Sequence, residues 1–304
     1  MPEPGPGQAL IEVEAASVIY GDTIVRAGRH PFPRPYVPGL EVAGRVTAVH
    51  PADGDASLVG RAVVATTAGM TGGYAEQAVV PVEHIHAVPD GLPLEQAIAV
   101  FQAGAAANGI LSAVRLAPGE TVLVTAAAGR IGSLLVQLAK QRGAALVVGA
   151  AGGTQKADAA REFGADLAVD YSGGDWANQI KEATGGRGVD VVLDAVGGAV
   201  GAQAFDAAAD GGGRIGVYGF TSGEWTSLDA FVLGRRGLSV IGALGIAFAK
   251  PATEQHADAE QALEATATGR LTARIHATYR LEQAAQAHAD LEERRTIGAV
   301  LLRP

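Results

Sequence analysis

A chain of 304 residues, 48% of them hydrophobic, is long enough to bury a core in each of two domains. Its formal net charge of -9 disfavours a partner held through a phosphate backbone, so no nucleic acid is expected. The absence of cysteine removes disulfides, thiolate catalysis and thiolate metal sites, and no apolar run approaches the roughly 18 residues that cross a bilayer.

The opening "MPEPGPGQ" is turn-rich and acidic rather than basic and then apolar, so it carries no signal-peptide pattern and a cytoplasmic protein is expected. Residues 1 to about 98 read as β-rich. "QALIEVEAASVI", "VAGRVTAVH", "RAVVATT" and "YAEQAVVP" are short β-branched segments separated by Gly, Pro and Asp. Prolines at 31, 33, 35 and 38 make "RAGRHPFPRPYVPG" a loop. His84 and His86 can share one strand face, but no third ligand accompanies them, and no metal is expected there.

From "PLEQAIAVFQAGAAANGILSAV" the period becomes helical, and after "APGE" strands and helices alternate. Strands are expected at 121–125, 145–149, 167–169, 189–194 and 214–219, with helices at 130–141, 154–163, 175–183 and 199–209. That alternation indicates βαβ units and a parallel sheet. The last part has helices around 253–268 and 281–294 and a closing strand "GAVLLRP", better suited to completing the β-rich domain than to extending the sheet.

In "VLVTAAAGRIGSLLVQLAK", Ala127, Gly129 and Gly132 stand at the spacing of G-x-G-x-x-G, with Ala in the first place. The pattern alone is weak, but an apolar strand precedes it and an amphipathic helix follows. Gly129 would let the backbone approach a pyrophosphate, and Gly132 would let the helix pack on the sheet. The N–H groups of the helix start, carrying about half a positive charge, would face the phosphates. A tight turn without a ligand is the alternative. NAD-preferring sites place Asp or Glu at the end of the next strand. Here that segment is "GAAGGTQK", where small residues, the Thr154 hydroxyl and the Lys156 cation leave room and charge for a 2′-phosphate. NADPH is therefore favoured over NADH, with a solvated Lys156 as the alternative.

The segments "VPGLEVAG", "GGYAEQAVVP", "APGETVLVTAAAGRIG", "QLAKQRGA", "KADAAREFGAD", "GVDVVLDAVGG" and "GGRIGVYG" occur in the order and spacing of the zinc-independent, zeta-crystallin-like quinone oxidoreductases of the medium-chain dehydrogenase/reductase superfamily. The chain resembles that family over nearly its whole length. The resemblance implies an α/β protein in which a Rossmann doubly wound parallel-sheet domain (104–245) is inserted in a GroES-like β-rich domain (1–103, returning at 246–304), with cofactor and substrate between them. It also implies a homodimer formed edge to edge through "GLSVIGALG". By position it assigns Gly129, Arg130 and Ile131 to the pyrophosphate, and Gly152, Lys156 and Tyr171 to the 2′-phosphate and adenosine. Asp194 and Val196 fall beside the adenosine ribose, Gly219, Phe220 and Thr221 towards the nicotinamide, and Arg295 matches a basic position able to reach the phosphate. Tyr171 capping a strand, Asp194 bonding local backbone and Arg295 lying in solvent are the bland alternatives.

The chain also departs from the family pattern. Relatives usually carry a further β segment before "PEPGPG". Where they read "G-V-N-P-x-D" near the nicotinamide, this chain reads "SVIYGD", so Ile19 and Tyr20 replace Asn and Pro while Asp22 remains. His30 in "GRHP" matches the position of a tyrosine, and Ala106 that of a threonine. These changes gather around the substrate.

Zinc-dependent relatives polarise a carbonyl through Cys, His and Glu, but here "G-H-E" has become "PGLE", leaving Glu41, and no catalytic zinc is expected. Hydride delivery to a simple ketone makes an alkoxide, whose conjugate acid lies near water's value of about 15.7; a quinone gives a phenolate, nearer about 10. The gap of about 6 units is roughly 8 kcal/mol of charge stabilisation. Without a metal, conjugated acceptors are thus selected over simple ketones, and the protein mainly aligns donor and acceptor. The expected function is NADPH-dependent reduction of a quinone or other small conjugated carbonyl. An enone or enoyl reductase of a biosynthetic pathway, or a non-catalytic NADPH-binding regulator, are the alternatives. His30 is the first candidate proton donor and Tyr20 the second, with Asp22 orienting either.

Overall fold

The computed structural model describes residues 2–51 and 56–304. In chain order it contains β1 (Gln8–Val18), α1 (Tyr20–Arg26), β2 (Glu41–Val49), β3 (Ala62–Thr66), β4 (Gln77–Pro81), β5 (Ile85–Ala87) and α2 (Leu94–Ala113). There follow β6 (Thr121–Thr125), α3 (Arg130–Gln141), β7 (Leu146–Ala151), α4 (Thr154–Glu162), β8 (Leu167–Asp170), α5 (Trp176–Ala183), β9 (Val191–Asp194), α6 (Gly198–Asp206) and β10 (Arg214–Val217). The chain ends with α7 (Ala230–Arg236), β11 (Ser239–Gly242), α8 (Ala243–Phe248), α9 (Ala252–Ala267), β12 (Ile275–Arg280), α10 (Ala284–Glu292) and β13 (Ala299–Arg303).

Two compact units result. The outer unit runs to Gln102 and resumes over Ala259–Pro304, and the inserted unit spans Ala103–Asp258. Residues 246–258, which the sequence had assigned to the returning segment, lie with the inserted unit. The reason is packing: a Cβ at Gly109 of α2 would come 2.6 Å from the Ala247 methyl of α8, so the two helices meet where neither carries bulk. Lys250 and Asp258 then bridge at 2.5 Å.

In the outer unit a seven-stranded sheet has the order β12-β13-β1-β2-β3-β5, with β4 also on β1. The length of β1 explains its three partners. Its first half, Gln8–Glu12, pairs antiparallel with β4, and Ala16–Val18 pairs with β13, while β2 lies along the opposite edge. Ile11, Val42, Val63, Val80 and Leu302 are fully buried between these strands and α10.

The inserted unit holds a six-stranded parallel sheet in the order β11-β10-β9-β6-β7-β8. Counted from β6 this is 3-2-1-4-5-6, the doubly wound dinucleotide-binding order, whose direction reverses between β6 and β9. The strands read as unbroken apolar runs such as "VVL" and "VLV" because helices cover both faces. Trp176 and Ile180 of α5 are fully buried on one of these faces. The α/β architecture is the one expected. Among the described residues no helix is long and apolar enough to cross a membrane.

Candidate functional site

The sequence-predicted cofactor residues of the inserted unit gather at the carboxyl ends of its parallel strands, where such sheets bind ligands. After β6 the backbone turns at Ala126, whose φ is +49, and the Gly129 N–H returns to the Ala126 carbonyl at 2.8 Å. Helix α3 starts on Gly129 with no side chain capping it, so its first-turn donors keep their orientation towards an anion. A Cβ on Gly132 would overlap the Ala126 carbonyl oxygen and come 2.9 Å from its carbon, so only glycine lets α3 seat on this turn. Ala127 is fully buried and its methyl faces Gly149 of β7, which makes room for alanine in the first motif place. It supports the turn from within. Arg130 and Ile131 open α3, partly exposed.

At the neighbouring strand ends, Gly152 accommodates the Tyr171 ring: a Cβ there would be 2.9 Å from Tyr171 Cε2. The two loops are laced by Tyr171 N–H to the Ala151 carbonyl at 3.0 Å and by Asp170 Oδ1, which accepts the Gly153 and Ser172 N–H groups at 2.7 and 2.9 Å. The Ser172 hydroxyl, then these N–H groups, hold the Asp170 carboxyl below its usual range. Thr154 lies exposed at the start of α4, with the half-buried Lys156 one half-turn on.

Asp194 ends β9 fully buried. Its carboxylate accepts from the Thr125 hydroxyl at 2.8 Å and from Val196 and Gly197 N–H at 3.0 and 3.1 Å, tying together the two strands that flank the switch point. It thus bonds local structure, as the bland reading had it. The following loop lies against that turn, with Thr221 N–H on the Ala195 carbonyl and Ser222 N–H on that of Val196, both at 2.9 Å. Gly219 permits the approach, and Phe220 stacks on the exposed Trp225 with centroids 4.3 Å apart.

The remaining candidates belong to the outer unit. Tyr20 opens α1, half-buried, and Asp22 is 8% exposed two residues later. Asp22 Oδ2 accepts the Ile19 N–H and the Tyr74 hydroxyl, each at 3.0 Å. Burial nevertheless dominates and raises its pKa to about 6, with repulsion from the buried Glu41 adding to it, while the hydrogen bonds from Ile19, Tyr74 and Gly39 work the other way. Desolvation and this same carboxylate push the Tyr74 phenol well above its ordinary value. His30 lies exposed in the loop beyond α1. Arg295 is engaged by Asp290 and Glu293 of its own unit. His84, half-exposed beside Glu83, and His86, buried edge-on against Phe101 at 4.9 Å, occupy unlike environments. Sequence reasoning assigned no role to Tyr74, although it lies in the quoted "GGYAEQAVVP", and gave no sign of Asp170 or His288.

Comparisons with known proteins agree with this anatomy. The "alcohol dehydrogenase GroES-like domain" family matches residues 5–90 and the "zinc-binding dehydrogenase" family residues 131–267. A quinone oxidoreductase of Pseudomonas aeruginosa is 32% identical over 99% of this chain and 93% of its own length. A 2-haloacrylate reductase of a Burkholderia species is also 32% identical, over 99% and 92%. The structure of Escherichia coli quinone oxidoreductase complexed with NADPH superposes with a TM-score of 0.90 at 29% identity, covering 100% of this chain and 94% of that one. Motifs, strand order and full-length similarity together make this chain a zinc-independent, quinone oxidoreductase-like member of the medium-chain dehydrogenase/reductase family.

Proposed function

We propose that the protein is an NADPH-dependent oxidoreductase that reduces a quinone or another conjugated carbonyl compound without a metal. The observation that carries this reading is the start of α3, seated on Gly132 with no side-chain cap at the sheet's switch point, beside a β7 end whose Gly152, Thr154 and Lys156 offer space and positive charge. These residues fit a dinucleotide with a 2′-phosphate. The relatives support the acceptor class, since a quinone and a 2-haloacrylate both carry a double bond conjugated to a carbonyl or carboxylate. Reduction of an activated alkene is therefore kept as a second reading within the same chemistry.

When bound, NADPH supplies the hydride, and the acceptor's conjugated framework takes up the electron pair. The chain's own residues do the rest. The α3 donors and Arg130 bind the pyrophosphate, Lys156, Thr154 and Tyr171 the adenosine end, and Asp194 keeps the β6 and β9 ends in register so that Val196 and Gly219–Thr221 border the site. The proton comes from the Tyr20 hydroxyl or the His30 imidazole, the latter exposed and so refilled from water. Asp22, with Oδ2 accepting two internal donors, orients the turn.

Purified protein is expected to oxidise NADPH, followed by its absorbance, with an aromatic quinone but not with cyclohexanone. Silence across several quinones and enones would refute the reading. In the same assay Lys156→Glu is expected to raise the KM for NADPH at least about tenfold more than that for NADH, roughly one lost charge-assisted contact; equal loss would show the 2′-phosphate to be elsewhere.

The proposal extends to a homodimer. Strand β11 is an open edge of the inserted unit's sheet, and Leu228, Phe231, Ile246 and Phe248 nearby in sequence are 48–74% exposed. An edge of unpaired backbone groups beside apolar side chains suits a second copy across a two-fold axis. Sedimentation should give twice the 30.7 kDa chain mass, and Ile241→Lys should give the monomer. A monomeric wild type at micromolar concentration would end this part of the reading.

A further inference from the structure

The hydrogen bonds at Asp22 belong to a longer chain of donors that returns to the helix it began on. His288 of α10, only 3% exposed, places Nε2 3.1 Å from the Tyr74 hydroxyl and Nδ1 3.3 Å from an Arg26 guanidinium nitrogen. Arg26, the last residue of α1, holds both Glu292 carboxylate oxygens at 2.7 Å. Donor counting fixes every direction. A guanidinium only donates, so Nδ1 accepts, and the proton of the neutral ring sits on Nε2. Burial, then the Arg26 charge, lowers the His288 pKa and keeps that ring neutral. Nε2–H therefore donates to the Tyr74 oxygen, whose own hydrogen goes to Asp22 Oδ2, the atom that also accepts the Ile19 N–H. The sequence runs from the last turn of α1, through α10 and the segment leading into β4, back to the first turn of α1.

We propose that His288 and Tyr74 are positioning residues: Arg26 locks the His288 tautomer, and the locked chain of donors holds the Ile19–Asp22 turn, with Tyr20, in one conformation for the acceptor. The role in catalysis rests on the reading above, in which this turn borders the acceptor; the tautomer lock does not. Protonation of Asp22 removes the charge that strengthens both hydrogen bonds on Oδ2, so the turn is held less firmly in acid. The groups facing it are Tyr74, Glu41 of β2 and the Gly39 N–H, with Tyr36, whose buried hydroxyl has no hydrogen-bond partner among the described residues, acting on Tyr74. His288, Arg26 and Glu292 complete the set.

The ¹⁵N shifts of His288 in wild-type protein near neutral pH provide a test independent of activity. Protonated Nε2 and bare Nδ1 are expected, with the preference lost in Arg26→Ala; an Nδ1–H ring in the wild type would overturn the inference even if every variant failed to fold. Kinetics test the positioning. Tyr74→Phe and His288→Leu are expected to lower kcat/KM near neutral pH about tenfold and to move its acid limb upward by about one pH unit, the scale of one hydrogen bond to a carboxylate. His288→Gln, which retains an N–H for Tyr74, should stay near wild type. Equal losses in all three with an unmoved limb would show a merely structural role. Wild-type protein inert towards every conjugated acceptor would instead sink the proposed function, leaving the tautomer result standing.

Discussion

Gly132→Val is expected to lower NADPH affinity by more than about 100-fold, roughly 2.7 kcal/mol, as measured by calorimetric titration. The added side chain meets backbone, not a movable side chain: its Cβ falls on the Ala126 carbonyl, 2.9 Å from that carbon and 3.0 Å from Ala127 Cα. Overpacking of this kind costs about 1–3 kcal/mol, and relief demands that α3 lift from β6, which turns its first N–H groups away from the anion. Stability and affinity fall together. Gly129→Ala is the control, because its Cβ would stand 3.1 Å from the Ala126 oxygen, a contact a small shift accommodates. Any loss of affinity there reflects crowding of the ligand and not of the fold. Wild-type NADPH binding by Gly132→Val would show that the α3 start does not form the phosphate site.

Asp22 should give the opposite of ordinary acid denaturation. Burial raises its folded pKa to about 6 from an unfolded value of 3.8, so the folded chain holds the proton more tightly. The resulting stabilisation is complete below about pH 3.8 and is lost as pH rises through about 6; it amounts to about 3 kcal/mol in all, of which about 2 kcal/mol disappears between about pH 4.5 and 7.5. Asp22→Asn cannot ionise and lacks this loss. Urea unfolding at those two pH values should show the stability of the variant rising relative to wild type by about 2 kcal/mol towards neutral pH. The same pH difference in both proteins would refute the burial of a titrating carboxyl. A carboxylate kept ionised at a cost in stability is a residue whose charge serves something other than folding.

The inserted unit was readable because its signals are local. Apolar strands and helical periods alternate within a few residues, and Gly132 lies at a fixed offset from the strand that ends at Thr125. The resemblance assigned Gly152 and Tyr171 to one end of the cofactor; the structure sets the Tyr171 ring over Gly152, a contact that nothing in the sequence announced. The return of the chain was placed at 246, since nothing near that residue announces that Ala247 packs on Gly109, distant in sequence. The polar network of the outer unit was illegible for the same reason. His288 lies in an alanine-rich helix with no motif around it, and its partners Tyr74 and Arg26 are 214 and 262 residues away. Asp170 escaped notice because a carboxylate that closes on the next turn looks, in sequence, like any strand-ending aspartate. Asp22 was recognised by its place in a family motif, but its burial by Tyr74 was beyond reach.

The sharing of β1 has a temporal consequence. Residues 300–302 of β13 pair with the second half of β1, so the outer sheet cannot be finished until the ribosome has passed residue 302. The inserted unit, by contrast, is one uninterrupted stretch. Its sheet can close while the outer unit still waits for β13, and the order of assembly runs from the inserted unit outward.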